Sequence, residues 1–242
     1  MIGVAESLLL ASGAFVAATL AAVAGFGGAA VLLPLLTLVF GVREAIPALT
    51  VAQLIGNASR VWFNRRELNF PVVGWFALGG VPAALVGGML FASVPPLALK
   101  RLLGSFLVLI VIYRHTRRAQ IPRFPMRGFA VIGAVLSFFS ALLGSVGPLM
   151  APFFLAYGLI KGAYIGTEAL ATVIMHVTKL VVYQSASVLT PKGLIVGLAL
   201  GPMMVLGSFV GKRVLDRLPE KVFVMIIEAT LIIAGLGFLI YA

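Results

Sequence analysis

Apolar residues gather into ten stretches, at about 5–24, 28–41, 45–64, 71–92, 96–113, 128–143, 147–160, 163–184, 191–211 and 219–241. A helix needs ~20 largely apolar residues to cross a bilayer. Most of the stretches meet that need. Those at 28–41, 128–143 and 147–160 are short, and predict either tilted short crossings or arms of re-entrant hairpins. The stretches at 45–64 and 163–184 carry polar residues at helical spacing. The pattern predicts an all-α polytopic membrane protein.

The stretches divide into two sets of five. Gly25-Phe26-Gly27-Gly28, followed by Pro34, corresponds to Gly144-Ser145-Val146-Gly147, followed by Pro152. The offset from Gly25 to Gly144 is 119, and the same offset carries Arg60 onto Lys179. Gly80-Val81-Pro82 corresponds to Leu200-Gly201-Pro202, and Gly87 to Gly207, at an offset of 120. Ordered correspondences at a nearly constant offset indicate duplication, a common device in transporter folds. The expected organisation is a first transmembrane repeat over 1–113, a basic linker over 114–127 and a second repeat over 128–242.

Composition agrees. Of 242 residues, 62% are hydrophobic and 10% charged, against ~45–50% and ~25% in a soluble domain. The mean hydropathy is +1.16. So little charge would not keep a soluble fold dispersed, whereas hydrocarbon accepts such a surface. There is no cysteine, which excludes disulfides and thiolate metal sites. With two histidines and seven acids, no metal site and no cofactor is expected. The net charge of +11 sits mostly between apolar spans, so loop placement explains it better than nucleic-acid binding. No Lys or Arg precedes Arg43, so the first apolar run is expected to be a retained span rather than a leader.

Loop charge predicts orientation. The linker carries Arg114, Arg117, Arg118, Arg123 and Arg127, and is expected in the cytoplasm. If each glycine-broken pair returns to its starting side, Arg65, Arg66 and the run from Lys212 to Lys221 join it inside. Only Arg43, Lys100, Arg101 and Lys192 then fall outside. A single crossing by each broken pair would erase the asymmetry. The first arrangement gives two inverted repeats, with both termini outside the cell (inner) membrane.

Inverted repeats bring two half-sites together near the bilayer midplane. Glycine lets the backbone leave helical geometry, and a helix restarting after the break offers unpaired N–H groups and a partial positive charge. The restarts are expected near Ala29 and Pro148. The candidate substrate-binding backbone is therefore Gly25, Phe26, Gly27, Gly28 and Ala29, with Gly144, Ser145, Val146, Gly147 and Pro148. The alternative for the glycines is close helix packing.

The third stretch of each set adds side chains. Thr50, Gln53, Asn57, Arg60 and Asn64 form one helical stripe; Thr167, Glu168, Thr172, His176, Lys179 and Tyr183 form the other. Ionisable residues within spans usually face a bundle interior or cavity. Gln53, Asn57, Arg60, Thr167, His176 and Lys179 are candidate substrate ligands. For Arg60 and Lys179 the alternative is snorkelling to the interfaces. Glu168, His176 and Glu228 are candidate proton-coupling groups, with Glu228 set deep in the last stretch. No phosphate-binding loop, nucleophile elbow or metal-binding helix motif occurs, so an enzyme is not expected.

These motifs resemble the TauE/SafE family of sulfite exporter-type permeases. The residues that carry the resemblance are Gly25-Phe26-Gly27-Gly28 with Pro34, and Gly144, Gly147, Pro148, Leu149, Ala151 and Pro152. Gly166-Thr167-Glu168-Ala169 with His176, Lys179 and Tyr183 adds to it. The second break departs from the glycine-rich pattern at Ser145-Val146. The resemblance implies a secondary transporter, acting as an exporter of small anions such as sulfite, sulfoacetate or related sulfonates. Its partners would be the small anionic substrate and the lipid bilayer, with room for a homo-oligomer. The competing reading is a non-transporting membrane sensor or assembly subunit. A sensor needs an output domain, and the 114–127 linker is too short to be one.

Overall fold

The computed structural model describes residues 3–26, 28–95, 98, 124–144, 146–223 and 225–226. The expected stretch at 96–113, most of that at 219–241 and most of the basic linker lie outside these residues. The described residues are helical, without a strand. The helices are α1 (Val4–Ala24), α2 (Gly28–Phe40), α3 (Val42–Phe63), α4 (Phe70–Ser93), α5 (Gly128–Leu143), α6 (Gly147–Ala156), α7 (Lys161–Ser185) and α8 (Pro191–Arg217). Among them α1, α4, α7 and α8 are long and apolar enough to cross a membrane, while α2 and α5 are shorter apolar helices.

The offset seen in the sequence recurs in the helix boundaries. α2 and α3 start 119 residues before α6 and α7, and α1 ends 119 before α5. The fourth helix of each set starts from a side-chain cap closely followed by proline. Asn69 accepts from the Val72 N–H at 3.2 Å, and Thr190 from the Gly193 N–H at 3.0 Å. Each cap satisfies a backbone donor that a helix start leaves unpaired. The restarts after the breaks come at Gly28 and Gly147, one residue earlier than the sequence suggested.

The two sets exchange helices rather than packing as separate bundles. The most extensive interfaces are α4 with α5 and α1 with α8; α3 also packs on α8, and α4 on α7. The fourth helix of each set thus lies against the first and third helices of the other. Small residues make the first two interfaces possible. A Cβ on Gly79 would fall 1.9 Å from the Ala130 carbonyl oxygen, and one on Gly207 2.4 Å from that of Phe15. Backbones this close gain the packing contacts that hold helices together when lipid supplies no hydrophobic drive.

α3 and α7 cross the centre in opposite directions. Near the end of α3 and the start of α7, the Asn69 N–H donates to the Thr167 hydroxyl at 3.0 Å. At the far side, Val42 and Ile46 of α3 share a core with Tyr183 and Val188. Among the described residues the two ends also differ in charge. At one, Lys212 pairs with Glu67 at 3.8 Å and Asp216 at 2.6 Å, Lys161 donates to the Leu218 carbonyl at 2.9 Å, and Arg65 and Arg213 lie over Trp62 and Phe209. At the other, Arg43 donates to the Ala92 carbonyl at 3.1 Å, Thr190 bonds Glu44, and Lys192 lies over Phe40.

Candidate functional site

Each first helix stops at a glycine in left-handed backbone. Gly25 has φ +84° and Gly144 φ +92°. Residues with a Cβ pay for this conformation, and glycine does not. At Gly25 there is a second reason: a Cβ would lie 2.3 Å from the Tyr164 hydroxyl oxygen. The last carbonyls of each helix are left without intrahelical donors, and their partial charge is negative.

The third helices supply side-chain donors to these ends, in addition to the Gly25 N–H that the Ala21 carbonyl already accepts at 2.9 Å. Arg60 Nη1 donates to the Ala21 carbonyl at 2.9 Å and the Gly25 carbonyl at 3.1 Å. Lys179 Nζ lies 3.3 Å from Ser140 Oγ and 3.2 Å from the Gly144 carbonyl oxygen. These are matching positions, each pair 119 residues apart: Ala21 with Ser140, Gly25 with Gly144, Arg60 with Lys179. Tyrosines add to both. Tyr164 donates to the Ala24 carbonyl at 3.2 Å, and Tyr183 donates to that of Ala141. Arg60 and Lys179 are 4% and 0% exposed, so neither snorkels. They cap the negative ends of α1 and α5, where a cation is favoured.

A cavity of about 40 Å³ opens where the two breaks meet. Gly25, Phe26, Gly28 and Ala29 line one side of it, with Gly144, Val146 and Gly147 on the other; Gln53, Asn57, Arg60, Glu168 and His176 complete the polar wall. α2 and α6 both begin at this wall. Two side-chain atoms here are buried without a hydrogen-bond partner among the described residues, Gln53 Nε2 and His176 Nδ1. Burying an unsatisfied polar atom is costly, so such atoms mark places where a further partner fits.

The wall contains one buried ion pair. Arg60 Nη1 lies 3.4 Å from Glu168 Oε2, with both side chains at 5% exposure or less. Thr172 donates to Glu168 Oε1 at 3.0 Å, and Arg60 also donates to Asn57 Oδ1. The pair joins α3 to α7 across the two sets.

Most of the expected ligands therefore gather at one place. Two do not reach the wall. Thr167 turns its hydroxyl to Asn69, and Lys179 stands behind the wall on Gly144 and Ser140. Pro148 lies in the first turn of α6. Gly27, Ser145 and Glu228 fall outside the described residues. The structure adds Ala21, Ser140, Met150, Thr172 and Met175 to the lining. Ser140 was findable, since it stands one turn before Gly144 at the offset from Ala21. Tyr164 was findable too, since it stands four residues before Glu168 and so extends the same helical face.

None of the curated proteins and none of the solved structures compared matches the chain. The family model described as sulfite exporter TauE/SafE matches residues 9–238, nearly the whole chain. A helical bundle rich in apolar spans, with two broken helices around one buried polar cavity, suits a membrane transporter of the sulfite-exporter type, and the chain belongs to the TauE/SafE family.

Proposed function

We propose that the cavity between the two breaks is the substrate site of a secondary transporter that exports small anions, sulfur-containing oxyanions or organosulfonates such as sulfite and sulfoacetate. The observation that carries this reading is the division of labour at the breaks. Arg60, Lys179, Tyr164 and Tyr183 occupy carbonyls at the ends of α1 and α5 that would repel an anion. The starts of α2 and α6, which attract one, face the cavity. Gln53 Nε2 adds an unpaired donor.

Size narrows the choice. At ~10–15 Å³ for each water-sized centre, 40 Å³ takes a compact oxyanion more readily than a longer sulfonate. The opposed directions of α3 and α7, and the reciprocal exchange of fourth helices, support reading the two sets as inverted repeats. Alternating access then follows from exchanging the roles of the halves around the site. The end bearing Arg65, Arg66, Lys161, Lys212, Arg213 and Arg217 is assigned to the cytoplasm by its excess of positive charge, in the inner membrane.

Purified protein in liposomes should move labelled sulfite, with sulfoacetate as a second probe. Protein-free liposomes set the background. Tight binding without movement would favour a sensor instead, and neither binding nor movement of any small oxyanion would overturn the proposal.

A further inference from the structure

Arg60 and Lys179 perform the same capping task in the two halves, yet among the described residues only Arg60 has a carboxylate beside it. The position matching Glu168 in the first set is Leu49, 119 residues earlier, and it is buried among alanines and leucines of α1, α2 and α3. The cap itself therefore does not require an acid. Glu168 also faces the cavity, beside Gln53, Asn57 and His176. Its named partners are Arg60 and the Thr172 hydroxyl.

Building on the anion-site reading above, we infer that Glu168 is a resident stand-in for the substrate, holding Arg60 when the cavity is empty and yielding it when an anion enters. The reason is electrostatic. In so small a space a bound anion would sit within a few ångströms of the carboxylate, and like charges at that distance in a poorly solvated site repel strongly. The two negative groups compete for one guanidinium. A buried cation stripped of its counter-charge is unfavourable. A carrier without Glu168 would have to reorient with Arg60 uncompensated, so it would wait for substrate before each return. With Glu168 present, the empty carrier is balanced and returns freely. The protein then supports net flux, not only exchange of one anion for another.

The test compares two fluxes of labelled sulfite from loaded liposomes. One is efflux into anion-free buffer; the other is exchange against unlabelled sulfite outside. The wild-type protein should sustain both. In Glu168→Gln the ratio of efflux to exchange should fall by about tenfold, as expected when the charge-balanced empty state is lost. The same variant should bind sulfite about tenfold more tightly in a thermal-shift titration, because a competitor has been removed. Removing a direct ligand would not tighten binding, and removing an acid that merely repels the anion would leave the ratio of efflux to exchange unchanged. An unchanged ratio, or unchanged or weaker sulfite binding, overturns the inference.

Glu168→Asp keeps the charge and should keep net efflux; if it only exchanges, the inference also fails. Wild-type protein that exchanges sulfite but never releases it into anion-free buffer refutes the stand-in role while leaving the anion site intact. Wild-type protein that neither binds nor moves sulfite removes the anion site first.

Discussion

The two breaks are built on one plan and finished differently. At the first, an arginine reaches two carbonyls, pairs with an acid from the other set and touches Asn57. At the second, a lysine reaches one carbonyl and a serine. A guanidinium offers several donors in a fixed fork, and an ammonium is a compact point charge. The arginine can therefore cap a helix and engage an anion at once. The lysine caps from behind the wall. The comparison teaches that two breaks with matching positions can be finished differently, and that among the described residues only the first meets an acid.

The largest effect should come from removing the first break's cation, with removal of the second as its comparison. Arg60→Met leaves Glu168 as an uncompensated buried carboxylate, and should cost about 3–5 kcal/mol of stability. Lys179→Met leaves one carbonyl and one hydroxyl unsatisfied, and should cost about 1–3 kcal/mol. Thermal unfolding in detergent would show the order. Adding Glu168→Met to Arg60→Met should recover part of the loss, as a double-mutant cycle can measure. Equal losses for the two single variants would dissolve the distinction between the breaks.

Next come the glycines. Gly25→Ala meets both positive φ and the Tyr164 ring, whereas a Cβ at Gly144 would find its nearest atom 3.4 Å away on Ile46. Backbone strain of about 1–2 kcal/mol applies to both, and overpacking adds about 1–3 kcal/mol to the first alone. Gly25→Ala should therefore unfold at the lower temperature. The Gly25→Ala, Tyr164→Phe double variant tests whether the ring as a whole or its hydroxyl sets the difference. Recovery of stability would point to the hydroxyl.

The smallest effect on stability belongs to Gln53→Ala and His176→Ala. Each removes a side chain with an unpartnered buried polar atom, so unfolding should shift by less than about 1 kcal/mol. Sulfite affinity should nevertheless weaken by about tenfold for Gln53→Ala, the cost of one lost hydrogen bond to a charged ligand. Titration of ligand-induced stabilisation would separate the two quantities.

Much of this site was legible along the chain. The glycine runs and the apolar stretches fixed where α1 and α5 stop. The three- and four-residue spacing from Thr50 to Asn64, and from Thr167 to Tyr183, correctly placed polar faces on α3 and α7 that are buried. The offset of 119 already paired Arg60 with Lys179. Their work was not legible. Both cations read as substrate ligands or snorkelling ends, because sequence spacing shows that a charge is buried and not what it faces. Thr167 shared the stripe but turned to Asn69, since one helix face spans more than one neighbour. Arg60 and Glu168 stand 108 residues apart, and nothing local links them.

The sequence by itself determined the solvent of this protein, its helical class, its two points of fracture and the residues too polar to face lipid. These follow from local physics: hydropathy over one helix length, helical periodicity, and the freedom of glycine at positive φ. Tertiary structure decided that the two fractures share one cavity, that the cations turn toward carbonyls, and that the acid of one half meets the arginine of the other. Those outcomes depend on which helices exchange between the halves. Each buried charge takes the partner that packing brings within reach, and that choice is made across the whole fold.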